Sequence, residues 1–280
     1  MSRTFARQFA LVVTLGLAML AAGPGAGILA APAQERPAPP GMVAIPAGRF
    51  TPLFTSGARP AGASAPSVPV DAFYLDAVPV TNGQFLAFVA EHPRWQRSQI
   101  KRIFAEDGYL ADWAGDVALG PSAQPDSPVT RVSWFAARAY CAAQGKALPT
   151  VDQWEYAAAA SATRPDGDTD PEFIQQILAS YSRPNPVHFG PVGHGFRNVW
   201  GVFDLHGLVW EWTLDFNTAL VTGESRADSA LERGLYCGSA AIGASNFRDY
   251  PAFLRYGFRS SLNANYVVGN LGFRCAATMP

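Results

Sequence analysis

The apolar run that opens residues 42–50 (MVAIPAGRF) closes on a turn, and apolar and polar positions alternate over 70–75. The first reads as a strand ending in a turn, and the alternation predicts a second strand. The period then lengthens. Thr81 precedes NGQFLAFV, where Phe85, Phe88 and Val89 fall on one helical face and Thr81 can cap the first turn. The clearest helical pair comes later. Ser133 is a good N-cap for a helix over 134–144, and Gly145 fits its stop. Thr150 with Gln153 makes a capping box in front of 154–160. Residues 55–69 are small, proline-rich and loop-like, and 93–128 show only weak periodicity. Residues 161–190 are polar and punctuated by proline, and 191–280 read as short strands and loops. No repeat and no sharp boundary divides the chain after the tether described next.

The N-terminus changes this picture by removing residues from it. Arg3 and Arg7 precede an apolar run over 9–22 that is short for a membrane span and broken by Gly16. Ala31-Pro32-Ala33 is a small-x-small cleavage pattern. Residues 1–33 therefore read as a signal peptide, with an uncleaved anchor as the alternative. Residues 34–41 form a proline-rich tether, and 42–280 the mature domain. The expected location is periplasmic or secreted, with no span left after cleavage.

Hydrophobic residues make up 49% and charged residues 15%, so the domain can bury a large core. A net charge of −1 gives no basic face, so no nucleic-acid partner is expected. With 23 prolines, 26 glycines and 12% aromatics, short elements and long ordered loops should dominate.

Candidate chemistry concentrates late in the chain. The phrase GVFDLHGLVWEW (201–212) sets Asp204 and Glu211 among glycine, aliphatic and aromatic residues. Acids in such company need a neutralising partner, so the phrase is either an ion site or a structural staple. The three cysteines, Cys141, Cys237 and Cys275, leave one over, and no pair has metal-ligand spacing. His92, His188, His194 and His206 show no ligand spacing either and read as surface or hydrogen-bonded residues. Nucleophile-elbow, zinc-protease and phosphate-loop motifs are missing. Arg248, Arg255, Arg259 and Arg274 read as bridges from loops to carboxylates and carbonyls, with an anion site as the alternative.

Five phrases in order carry a family resemblance: MVAIPAGRF, PVTNGQFLAFV, PVTRVSWFAARAYCAAQGKALPTVDQWEYAA, GVFDLHGLVWEW and NLGFRCA. Together they resemble the formylglycine-generating enzymes, the sulfatase-modifying factors, over residues 42–277. The resemblance implies an α+β fold, a C-type-lectin-like variant with low regular secondary structure. It implies a disulfide between Cys141 and Cys275, the alternative being two buried thiols. It also implies calcium held by the side chains of Asp204 and Glu211 and the carbonyls of Gly207 and Val209, all hard oxygen ligands. The alternative there is that both acids accept hydrogen bonds from the protein. A second calcium loop of the family has no match in 180–197.

The family's chemistry uses copper(I) on two cysteines, soft ligands for a soft ion. Aligning Gly238-Ser239 with the family's Gly-Ser phrase puts Ile242 and Phe247 at those positions. Copper in the usual two-cysteine mode, and with it formylglycine generation, is therefore not expected. Cys237 remains the reactive candidate, as a thiol or a single copper ligand, against a small packing residue as the alternative. The stretch from Cys237 to Leu262 resembles exported members described as accessory proteins of bacterial nitrite reductase. The resulting expectation is an accessory protein for a periplasmic redox enzyme. The second reading is an oxidoreductase acting through Cys237 and a bound metal.

Overall fold

The expected strand over 42–50 is two strands, β1 (Met42–Ile45) and β2 (Gly48–Phe50). The second expected strand is likewise divided, into β3 (Val68–Val70) and β4 (Phe73–Asp76). Proline explains the first break: Pro46 has no N–H to give a ladder. β1 pairs antiparallel with β4, Met42 opposite Asp76 and Ile45 opposite Phe73. The far edge of β4 takes the chain's last strand, β7 (Ala276–Thr278), also antiparallel. β2 and β3 form a separate hairpin-like pair. In this computed structural model the described residues are 38–51, 67–217 and 250–279, within one unit spanning Ala38–Pro280.

Local capping builds the helices where the sequence asks for them. α1 (Asn82–Glu91) carries a complete capping box from Thr81 and Gln84, and it buries Phe85, Phe88 and Val89. α2 (Trp134–Ala143) starts at Ser133, whose hydroxyl accepts from the Ala136 N–H. Gly145, just beyond its end, takes φ +68°, the left-handed conformation that suits glycine. α3 (Val151–Ala158) has the Thr150–Gln153 box in full.

Two helices correct the sequence reading. α4 (Pro171–Tyr181) runs through the polar, proline-punctuated stretch, for which no element was expected. Its proline sits at the first helical position, where no N–H is needed, and Asp170 caps it. Phe173, Ile174 and Ile177 are its buried face. α5 (Tyr250–Ser260) lies in the region read as short strands and loops. Its buried face includes Arg255 and Arg259, so hydrophobic periodicity gave no sign of it. β5 (Trp210–Trp212) and β6 (Leu271–Phe273) complete the elements as a parallel pair.

Two apolar clusters fill the interior. The larger joins α1, α2 and β6 through Phe85, Phe88, Tyr140 and Phe273, whose rings meet at 5.4–6.0 Å. The smaller packs Ile45, Phe73 and Leu75 against Trp154, Ala157 and Leu205. A disulfide joins Cys141 of α2 to Cys275 between β6 and β7, across 134 residues of sequence. In the chain-entropy picture such a closure stabilises by about 4–5 kcal/mol. Close approach is demanded at Gly272: a Cβ there would stand 2.6 Å from the Val129 carbonyl oxygen.

Candidate functional site

The acid-bearing phrase threads from a turn into β5. Asp204 is non-glycine yet takes φ +61°, and it is 2% exposed. Its carboxylate accepts from two backbone donors, the N–H groups of Gly193 at 2.5 Å and Gly195 at 2.8 Å. Glycine at 195 is needed for this, because a Cβ would fall on Asp204 Oδ1. Burial raises the Asp204 carboxyl above its ordinary range, against the pull of the two N–H donors.

Glu211, on β5, is held differently. Arg274, wholly buried, grips it with both arms of the guanidinium: Nε to Oε2 and Nη2 to Oε1, each 2.7 Å. Trp154 Nε1 donates to the same Oε2 at 2.7 Å. The remaining guanidinium donors reach the carbonyls of Asp76 at 3.0 Å and Phe203 at 2.9 Å. One arginine thereby ties β5 and β6 to the end of β4.

A second buried cluster lies on the other side of Trp154. Glu155, on α3, is 1% exposed and receives two guanidiniums from α5. Arg255 donates from Nε and Nη2, the closest contact 2.6 Å, and Arg259 donates from Nη1. Burial alone would raise the Glu155 carboxyl; Arg255 and then Arg259 outweigh it and hold it at about 2. Arg255 Nη1 also donates to the Tyr181 hydroxyl at 3.2 Å. That hydroxyl lies 3.0 Å from His206 Nδ1, and His206 Nε2 lies 2.9 Å from the Ala158 carbonyl. A carbonyl can only accept, so the imidazole proton sits on Nε2 and Nδ1 accepts from the tyrosine. Burial, then the charge of Arg255, pushes His206 down to about 3. His206 is therefore a neutral, fixed connector near neutral pH and not a proton carrier.

The two clusters share a wall of one cavity of about 280 Å³. Trp154, Tyr181, Trp210, Phe258, Glu211 and Arg259 line its inner side, and Arg183, Asn185 and Asn270 lie nearer the surface. The Trp210 and Phe258 rings stack at 4.7 Å, with Tyr181 against Trp210 at 5.1 Å.

The family described as sulfatase-modifying factor enzyme 1-like domain matches residues 29–279, most of the chain. The chain belongs to this family. The formylglycine-generating enzyme of Bos taurus is 31% identical over 299 residues, covering 86% of this chain and 76% of that protein. The "Inactive C-alpha-formylglycine-generating enzyme 2" of Bos taurus is 29% identical over 274 residues, covering 84% and 87%. The solved structure of PvdO from Pseudomonas aeruginosa aligns at 20% identity and a TM-score of 0.46, over 85% of this chain and 94% of that one.

Membership makes calcium at the 204–211 phrase the natural question. Both acids of the expected set already have protein partners. Arg274 occupies the position of a cation among Glu211 and two carbonyls, and an added dication would face its full charge. The Asp204 oxygens accept from Gly193 and Gly195. In this structure each of the two acids is satisfied by protein donors. Thermal unfolding with a chelator and with added calcium should give the same midpoint. A rise of several degrees on adding calcium would restore the ion, since a ligand of the folded state alone stabilises it.

Of the other expected residues, Cys141 and Cys275 meet in the disulfide. Arg255, Arg259 and Arg274 bridge to carboxylates, Arg274 to carbonyls as well. Cys237, Ile242, Phe247 and Arg248 lie outside the described residues. Glu155 was missed in the sequence. Its one available signal was that it lies on the inward side of an amphipathic turn beside Trp154, where an acid requires a partner.

Proposed function

We infer that this chain is an accessory or binding member of its family and not a formylglycine generator. It would serve the maturation or function of an exported redox enzyme such as nitrite reductase. One observation carries the first half: Ile242 and Phe247 stand where two copper-binding cysteines belong, and neither side chain can ligate a metal. A relative whose name marks it as inactive, matched over most of both chains, supports the view that this fold serves without that chemistry. The nitrite reductase assignment rests on the likeness of the stretch from Cys237 to Leu262 to that exported subgroup. Export is supported by the signal-like N-terminus and by a disulfide suited to an oxidising compartment.

A second reading has its own observation. With Cys141 and Cys275 joined, Cys237 is the cysteine left over in the sequence, and a free thiol at that position could carry redox chemistry. Cells lacking the gene, restored with the wild type or with Cys237→Ser, separate the two. The accessory reading expects nitrite reductase activity to fall on deletion and to recover with both chains. Unchanged activity on deletion would sink it. Recovery with the wild type alone, the variant being folded, would move the assignment to the thiol.

A further inference from the structure

Arg259 is 4% exposed, yet among the described residues its charge is only half answered. It shares the Glu155 carboxylate with Arg255, so two buried guanidiniums divide one negative charge. Arg255 is well supplied, with both Glu155 oxygens and the Tyr181 hydroxyl. Arg259 makes one hydrogen bond, through Nη1. Among the described residues its Nε and Nη2 donate to nothing, and neither is a sealed, unpartnered atom. The open space beside this side chain is the 280 Å³ cavity, whose wall it forms. Its other neighbours are rings: Trp154 at 4.8 Å and Tyr256 at 5.9 Å from the guanidinium carbon. Ring faces soften the cost of a buried cation but do not neutralise it. Asp152, the other acid of α3, forms no ion pair with Arg259 among the described residues, and burial, Asp215 and Glu155 push its carboxyl up.

The rest of the cavity says what else a ligand must offer. Trp210, Phe258 and Tyr181 make an aromatic wall, and a space of about 280 Å³ suits a single-ring molecule. Glu211, the acid at this wall, is already held by Arg274 and Trp154, so it does not repel an incoming anion as a free carboxylate would.

We propose that this cavity binds a small aromatic carboxylate, its acid group on Nε and Nη2 of Arg259 and its ring against Trp210 and Phe258. The inference goes beyond the accessory reading and needs no redox partner, so either can fail alone. Calorimetric titration of the full chain with phenylacetate, phenylacetamide and acetate tests it. Phenylacetate should bind with a dissociation constant of ~1 mM or tighter, and the neutral amide and ring-free acetate about tenfold more weakly or worse. Binding should change the tryptophan fluorescence, because Trp154 and Trp210 line the cavity. Arg259→Lys, which keeps the charge but loses the planar fork, should weaken phenylacetate about tenfold, whereas Arg183→Gln at the exposed rim should weaken it less than about threefold. Equal affinity for acid and amide would overturn the proposal, as would no binding at ~10 mM, the range of affinities too weak for a built site. Should Arg259→Lys fail to fold, the acid and amide comparison on the wild type decides alone.

Discussion

Arg274→Met is expected to cost about 3–5 kcal/mol of folding stability, the penalty typical of breaking a buried ion pair from one side. The methionine fills much of the same volume, so the loss is electrostatic. Glu211 would keep only the Trp154 indole N–H as a donor, in a site where both partners of the pair are fully buried. The carbonyls of Asp76 and Phe203 would lose their donors as well. For a domain of this size the midpoint of thermal unfolding should fall by about 10 °C or more. Adding Glu211→Gln in the same chain should recover a large part of the loss, because the uncompensated charge goes with it. Denaturant unfolding of the single and double variants checks both. A loss below about 1 kcal/mol for Arg274→Met would mean that the pair is exchangeable with water, which its complete burial denies.

That expectation reverses the weight the sequence gives to the phrase. From the residues alone, Asp204 and Glu211 are two acids of one loop and invite one ion. The partners that satisfy them come from far away: Arg274 is 63 residues beyond Glu211, and Gly193 precedes Asp204 by 11. No local pattern announces such pairings. Where both partners were local, the sequence was explicit. The Thr81–Gln84 and Thr150–Gln153 boxes formed as written, because each needs only the three-residue spacing of a first helical turn.

The two unforeseen helices show the limits of periodicity from opposite sides. α4 had the apolar spacing, Phe173, Ile174 and Ile177, but the stretch around it is polar and punctuated by proline, so no helix was expected there. A proline at the first helical position is a start signal, and Asp170 before it was the cap. α5 had the opposite fault. Its inward face presents Arg255 and Arg259, which count as polar in any hydrophobic pattern. They turn inward because Glu155, a hundred residues earlier, is waiting there. The disulfide was legible only through the family resemblance, since three cysteines allow three pairings.

Glu155→Gln should be as costly as the loss of Arg274, about 3–5 kcal/mol, because it leaves two buried guanidiniums without an anion. Its signature is in the pH dependence. The Glu155 carboxyl is held at about 2 in the fold against an ordinary 4.5. A carboxyl depressed on folding stabilises fully above 4.5, and that contribution drains away as pH falls toward 2. His206 adds an earlier window. It is neutral in the fold down to about 3 but takes a proton near 6.5 when unfolded, so acid favours the unfolded chain from 6.5 downward. The wild type should therefore lose stability in two overlapping steps, from 6.5 to 3 and from 4.5 to 2. Glu155→Gln should start lower and keep only the first step, its onset unchanged at 6.5 and its lower end moved to slightly lower pH, because the glutamate's charge helps to raise His206. His206→Phe should do the reverse, removing the loss that begins near 6.5 and leaving the one below 4.5. Unfolding free energies of the three chains measured from pH 7 to 3 distinguish these slopes. Parallel curves for wild type and Glu155→Gln below pH 4.5 would show that the carboxylate is not held ionised by Arg255 and Arg259, and the charge argument for the cavity would fall with it.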